Sequence, residues 1–376
     1  MTTVAVGIAG ALLVLVIMWD AFEALVLPRR VTRRLRPARL FYRSTWWMWR
    51  AVACRMRSGG RRETYLSFYG PLSLLFLLGM WAMSLIFGFA IMHWGLGSSL
   101  DVAHGSPSFL ADLYMSGTTF FTLGLGDVTP NRTLARILTV VEAGTGFGFL
   151  AVVIAYLPVV YQGFSRREVN ISLLDARAGS PPTAAELLRG YAHKMAELEL
   201  FLRDWERWAA ELLESHVSYP VLSYFRSQHD NQSWLAALTT VLDSSALVMV
   251  GINGAPAWQA ALTFAMARHA VADLAQVLGT PPRTPSPDRL PTPALQLLRK
   301  TLATYGLPLP DGETADQKLG QLRSMYEPYV EALAERLLMP LPAWSVDGGG
   351  AENWRTTAWG GLADAGPLDV HDAGRS

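Results

Sequence analysis

Long apolar runs separated by short polar stretches occupy the first part of the chain, and beyond about residue 165 they give way to mixed segments with a helical period. Three runs, Val4 to Leu27, Phe68 to Trp94 and Leu134 to Tyr161, are long enough to cross a hydrocarbon core, which takes about 20 helical residues. A shorter apolar run ends at Phe120. Ser106 is placed to cap its start and Pro107 to occupy the first helical position, which predicts a helix of about four turns that stops at Gly124 and Gly126. That helix is too short to span. Non-helical backbone at membrane depth is tolerated only where it is buried in protein or lines a water-filled cavity, so the segment reads as a re-entrant loop. Downstream, helical patterns cover 183–215, with Thr183 as cap, then 232–249, 256–277, 294–305 and 315–338; breakers at Gly251 to Pro256 and Gly279 to Pro293 separate some of them. The expected fold is an all-α membrane protein: three transmembrane helices, a re-entrant helix and its loop, then an all-helical domain.

Composition and charge set the orientation. The chain is 51% hydrophobic and 17% charged, with a net charge of +1, and its one cysteine, Cys54, excludes an intrachain disulfide. Residues 28–62 hold twelve arginines and no acid, whereas residues 95–133 hold Asp101, Asp112 and Asp127 against Arg132. The positive-inside rule then puts the amino terminus and the 95–133 loop outside, and the arginine-rich segment and everything after about Gln162 in the cytoplasm. The apolar start lacks a preceding basic residue and a following small-residue cleavage site, so it is expected to be retained. Asp20 and Glu23, near the inner end of the first run, read as acids at the interface or facing a neighbouring helix. Trp46, Trp47 and Trp49 alternate with Arg43, Arg50, Arg55 and Arg57, which suits an interfacial helix on anionic lipid within 29–62 and not a nucleic-acid arm.

The string Thr118-Thr119-Phe120-Phe121-Thr122-Leu123-Gly124-Leu125-Gly126-Asp127-Val128-Thr129-Pro130 resembles the pore loop of potassium channels. Its leucine at 125 is similar to the second pore loop of two-pore-domain potassium channels, where leucine commonly replaces tyrosine. The resemblance implies that carbonyls of Thr122, Leu123, Gly124, Leu125 and Gly126 from several chains surround potassium, with the Thr122 hydroxyl as the innermost ring. It also implies that Asp127, Thr118 and Thr119 support this filter. Carbonyl dipoles can replace a potassium ion's water shell, and glycine permits the backbone angles this needs. One pore loop per chain implies a homotetramer. No cofactor is implied beyond permeant potassium, and no enzymatic activity. Two departures stand out: Leu125 lacks a hydroxyl to brace the filter, and Phe121 stands where threonine or serine is usual. A weakly selective cation channel, or a non-conducting membrane-anchored helical module, are the competing readings.

In the third run, Gly146 is a candidate hinge, or equally a site of close packing against the re-entrant helix. Tyr156 and Pro158 mark a candidate inner gate, with a kink expected at Pro158. Glu142 reads as a buried acid bonded to a neighbouring helix. In the second half, His193, His216, His229, Asp230, Asp243 and His269 could suggest a metal, but Asp230 or Asn231 more naturally caps a helix. Trp205, Trp208, Tyr219, Tyr224, Phe225 and Trp234 read as core or subunit contacts, and no ligand for this domain can be named. The expected organisation is an extra helix and basic segment (1–67), a pore domain (68–164), a helical cytoplasmic domain (165–345) and a disordered tail (346–376).

Overall fold

A computed structural model describes residues 2–27, 36–98, 100–102, 108–229 and 231–345. The Ser106–Pro107 start, residues 29–35 of the basic segment, Asp230 and the tail from Val346 lie outside the described residues. The chain divides into two compact units, Met1–Gln162 and Gly163–Ser376.

In the first unit, α1 (Thr2–Leu25) packs along α4 (Tyr69–Gly95). Small residues set how near the two come: a Cβ on Gly10 would lie 2.7 Å from the Gly88 carbonyl oxygen, and one on Gly88 would lie 2.7 Å from Val14 Cγ2. Apolar chains gain no hydrophobic drive from leaving lipid, so such close backbone approach is what holds spans together. At the other end of α1, Asp20 Oδ2 accepts from the Trp81 indole (2.9 Å) and from the backbone N–H of Ala38 (2.9 Å), and Arg36 lies 3.2 Å from Glu23. Asp20 thus satisfies an open N–H in the first turn of α2 (Pro37–Ala53), as a capping carboxylate would. Both acids face neighbouring elements. Of the three tryptophans of α2, Trp46 packs on Tyr69 (4.8 Å between rings), Trp49 stacks on Tyr65 (4.5 Å), and Trp47 is exposed beside exposed Leu40 and Met48. A short α3 (Gly60–Ser67) leads into α4.

Two strands that the hydrophobic pattern did not predict lie within the 95–133 loop. β1 (Leu100–Val102) runs antiparallel to β2 (Val128–Pro130), pairing Leu100 with Pro130 and Val102 with Val128. Between them lies α5 (Phe109–Phe120), and after them comes α6 (Thr133–Ala178). The third apolar run was expected to end as a helix at Tyr161; α6 instead continues to Ala178 and is unbroken at Pro158.

The second unit contains α7 (Ala184–Gly190), α8 (Met195–Ser218), a 3-10 turn (Pro220–Tyr224), α9 (Trp234–Gly251), α10 (Ala257–Val277), α11 (Thr292–Thr304), α12 (Glu313–Ser324) and α13 (Glu327–Leu337). Two helices expected as single are each divided. The 183–215 segment breaks after Gly190, and the 315–338 segment breaks at Met325–Tyr326, because Pro328 fits only the first turn of a new helix. Thr183 caps α7 as expected, its hydroxyl accepting from Glu186 N–H at 3.3 Å. α9 is capped by Ser233, not by Asn231. By length and composition α9 could cross a membrane, but 89% of its apolar stretch is buried inside the protein, against 11% for α6. A helix apolar on every face is a core helix when protein surrounds it. α10 packs on both α8 and α9, with Trp205, Trp208 and Trp234 buried, as a core reading requires.

Candidate functional site

α5 begins at Ser108, whose hydroxyl accepts from Ala111 N–H at 3.3 Å, two residues beyond the serine that the sequence pattern favoured. It ends at Phe120, and the chain then folds back on the helix end. Thr122 N–H donates to the Thr119 carbonyl (2.9 Å), Leu123 N–H to the Thr118 carbonyl (2.7 Å), and Gly124 N–H reaches the same carbonyl at 3.4 Å. Thr118 and Thr119 therefore hold the following segment through their backbone oxygens, which a helix end leaves open.

From Thr122 to Gly126 the backbone alternates. Thr122 (φ +58°), Gly124 (+56°) and Gly126 (+81°) are left-handed, while Leu123 and Leu125 are not. Alternation of this kind gathers successive N–H groups on one face and turns the carbonyls to the other. Glycine accepts such angles freely; for the β-branched Thr122 the conformation costs about 1–3 kcal/mol, a strain characteristic of functional segments. Leu123 and Leu125 are 63% and 64% exposed in the single chain. Asp127 accepts from the Tyr114 hydroxyl at 2.9 Å, which ties the end of this segment to the middle of α5.

Beneath the segment, α6 passes so close to the end of α5 that a Cβ on Gly146 would sit 2.0 Å from the Phe120 carbonyl oxygen. This contact gives Gly146 a packing role. Added Cβ atoms on Gly144 and Gly148 would meet nothing within 4 Å. Phe120 also packs on Phe149 (5.9 Å), and Phe121 lies edge-on to Phe120 (5.4 Å). Glu142, fully buried, lies with its Oε2 3.3 Å from His93 Nε2 of α4, as expected of an acid bonded across helices. Tyr156 is buried on α6 and Pro158 is exposed.

The second-unit residues weighed as metal ligands are dispersed. His216 is fully buried; its Nε2 faces Arg167 Nη1 (3.3 Å) and its Nδ1 faces the Leu212 carbonyl (2.9 Å). Asp243 takes both Arg289 Nη groups and the Tyr326 hydroxyl, and His269 lies 3.4 Å from Asp273. Among the described residues no three such side chains converge on a metal position. The sequence reading missed Tyr114, which precedes Asp127 on a different element, His93, a lone histidine in an apolar run, and Arg36 and Trp81 as partners of the α1 acids. Only His93 left a signal, since a buried histidine needs a partner.

Residues 75–162 match the protein family described as "Ion channel", so the unit that holds the re-entrant loop contains an ion-channel domain. Channels of this family move ions and perform no covalent reaction. Over 209 residues the chain is 24% identical to "Uncharacterized membrane protein YdjJ" of Bacillus subtilis (strain 168), covering 55% of this chain and 60% of the relative, less than two thirds of the latter's length. No solved structure matches the chain.

Proposed function

We propose that this chain is one of four identical subunits of a potassium-selective channel, with Thr122 to Gly126 as the filter. The alternating backbone of that segment carries the reading. An alternation of left-handed and other residues suits carbonyls turned to one face, and in a single chain that segment is exposed, with Leu123 and Leu125 lacking the packing they would need. Fourfold assembly supplies both: neighbours pack around the leucines, and four sets of carbonyls substitute for water around a dehydrated cation. The carboxyl end of α5 near Phe120 contributes partial negative charge beneath the filter. Asp127, through Tyr114, braces the outer end, and Phe121 and Leu125 brace by packing where hydroxyl groups are absent. α1 lies on the lipid side of α4, and α2 rests on anionic lipid at the cytoplasmic face through Arg39, Arg43 and Trp47. The inner gate lies at Tyr156 and Pro158, and the second unit regulates it.

The test is reconstitution in liposomes with reversal potentials measured under opposed potassium and sodium gradients. A reversal close to the potassium equilibrium value is expected, with no flux from Gly124→Asp. Equal permeation of both ions would replace potassium selectivity with a weakly selective pore; flux that survives Gly124→Asp would remove the filter from this segment altogether.

A further inference from the structure

Behind the re-entrant helix, three elements bring together ionisable side chains that conduction through Thr122 to Gly126 does not use. His93 comes from α4, Asp112 and Ser116 from α5, and Glu142 from α6, and each is at most 1% exposed. His93 Nε2 and Glu142 Oε2 are 3.3 Å apart, Ser116 lies against Glu142, and Asp112 Oδ2 accepts from Ser98 Oγ at 2.6 Å. One polar atom of each ionisable group remains without a hydrogen-bond partner: His93 Nδ1, Asp112 Oδ1 and Glu142 Oε1. Other charges are elsewhere. Asp20 and Glu23 of α1 are engaged by Arg36 and Trp81, α1 meets this part of α4 through Gly7 and Gly10, and Asp101 of β1 is exposed.

Two buried carboxylates against one imidazole would leave net negative charge in the membrane interior, which costs several kcal/mol per uncompensated ion. Among the described residues, no arginine or lysine pairs with His93, Asp112 or Glu142 to offset it. The alternative is protonation. We infer that His93, Asp112 and Glu142 form a buried proton-binding site in which both carboxyl groups carry a proton and the imidazole is neutral, so that the site has no net charge, with Ser116 and Ser98 as hydrogen-bonding partners. Removing one proton leaves a charge where α4, α5 and α6 meet and loosens the seat of the re-entrant helix. Ser98, partly exposed at the end of α4, is the side from which the proton exchanges. The effect on conduction rests on the channel reading above; the proton site itself does not.

The direct test is infrared spectroscopy of the reconstituted full chain at neutral pH, comparing the carbonyl band of protonated carboxyl groups. Glu142→Gln is expected to lose one carboxyl's worth of that band, as is Asp112→Asn, whereas His93→Gln, which leaves both acids in place, keeps it. No loss in either acid variant would overturn the site. In flux measurements, the wild type is expected to lose conduction several-fold as the outside pH is raised, and Glu142→Gln to show a flattened profile. An unchanged profile in the variant would detach the site from conduction. Absence of flux at every pH would instead dispose of the channel reading, and the infrared band alone would then decide the proton site.

Discussion

Gly146 is the position where a single added carbon does most harm. A methyl group there meets the Phe120 carbonyl at 2.0 Å, and the obstacle is backbone, which cannot swing aside. Gly146→Ala is expected to destabilise the first unit by about 1–3 kcal/mol, the usual cost of overpacking, and to reduce flux; Gly144→Ala, with no neighbour in the chain, is expected to leave the thermal midpoint in detergent unchanged. At the outer end, Tyr114→Phe removes the donor to Asp127 while preserving the ring. The sodium-to-potassium permeability ratio drawn from reversal potentials should then rise several-fold, while folding is unaffected because both groups are exposed; an unshifted potential would take Asp127 out of the bracing role. Of the loop residues, Gly124 and Gly126 were legible in the sequence because left-handed backbone favours glycine, whereas Asp127 was singled out only by the resemblance to potassium-channel pore loops. The choice between hinge and close contact for Gly146 was not legible, since it depends on which atom of another element lies opposite.

Helices report their apolar runs well and their boundaries less well. The spans, the short α5 and the core helices of the second unit all follow from pattern, because burial of a stripe or of a whole circumference is written into composition. The split at Met325–Tyr326 could have been read from Pro328, and the cap of α9 from Ser233, had local chemistry been weighed against the longer period. Partners in ion pairs could not. Asp20→Asn is an example: it removes the charge opposite Arg36 and weakens the bonds to Trp81 and Ala38. The expected loss is about 3 kcal/mol, the scale for breaking a buried charge pair, read as a lowered midpoint in thermal unfolding. His216 of α8 offers a second test. Burial holds its pKa well below the ordinary histidine value, and the Arg167 guanidinium lowers it further. The unfolded chain therefore binds a proton below about pH 6.5 that the folded one does not, and stability of the second unit should fall with acidification from there, by up to about 1.4 kcal/mol per pH unit. His216→Gln should flatten this dependence in pH-resolved denaturation of the full chain.

At the scale of the whole molecule, what a single chain leaves uncovered matters as much as what it buries. Its core elements are closed, yet Leu123, Leu125 and the apolar side chains Ile137, Val140, Val141 and Phe147 of α6 stand open. What covers these side chains is not written in any one segment of the sequence. In the second unit, Asp243 takes charge-assisted bonds from Arg289 and a hydroxyl bond from Tyr326, and Glu327 joins Arg289 and Arg323. That network unites α9, the proline-rich connection and α13, elements far apart in sequence, which is why periodicity gave no sign of it. The ladder from Leu100–Pro130 to Val102–Val128 has a practical corollary. Because it clasps both ends of the intervening stretch at strand spacing, about 5 Å, the stretch is a cassette with fixed attachment points. Replacement stretches with the same end-to-end span should therefore graft here only where they also reproduce the close seat of Phe120 on Gly146 and Phe149, so two anchored ends and one tight contact together define what the surrounding helices accept.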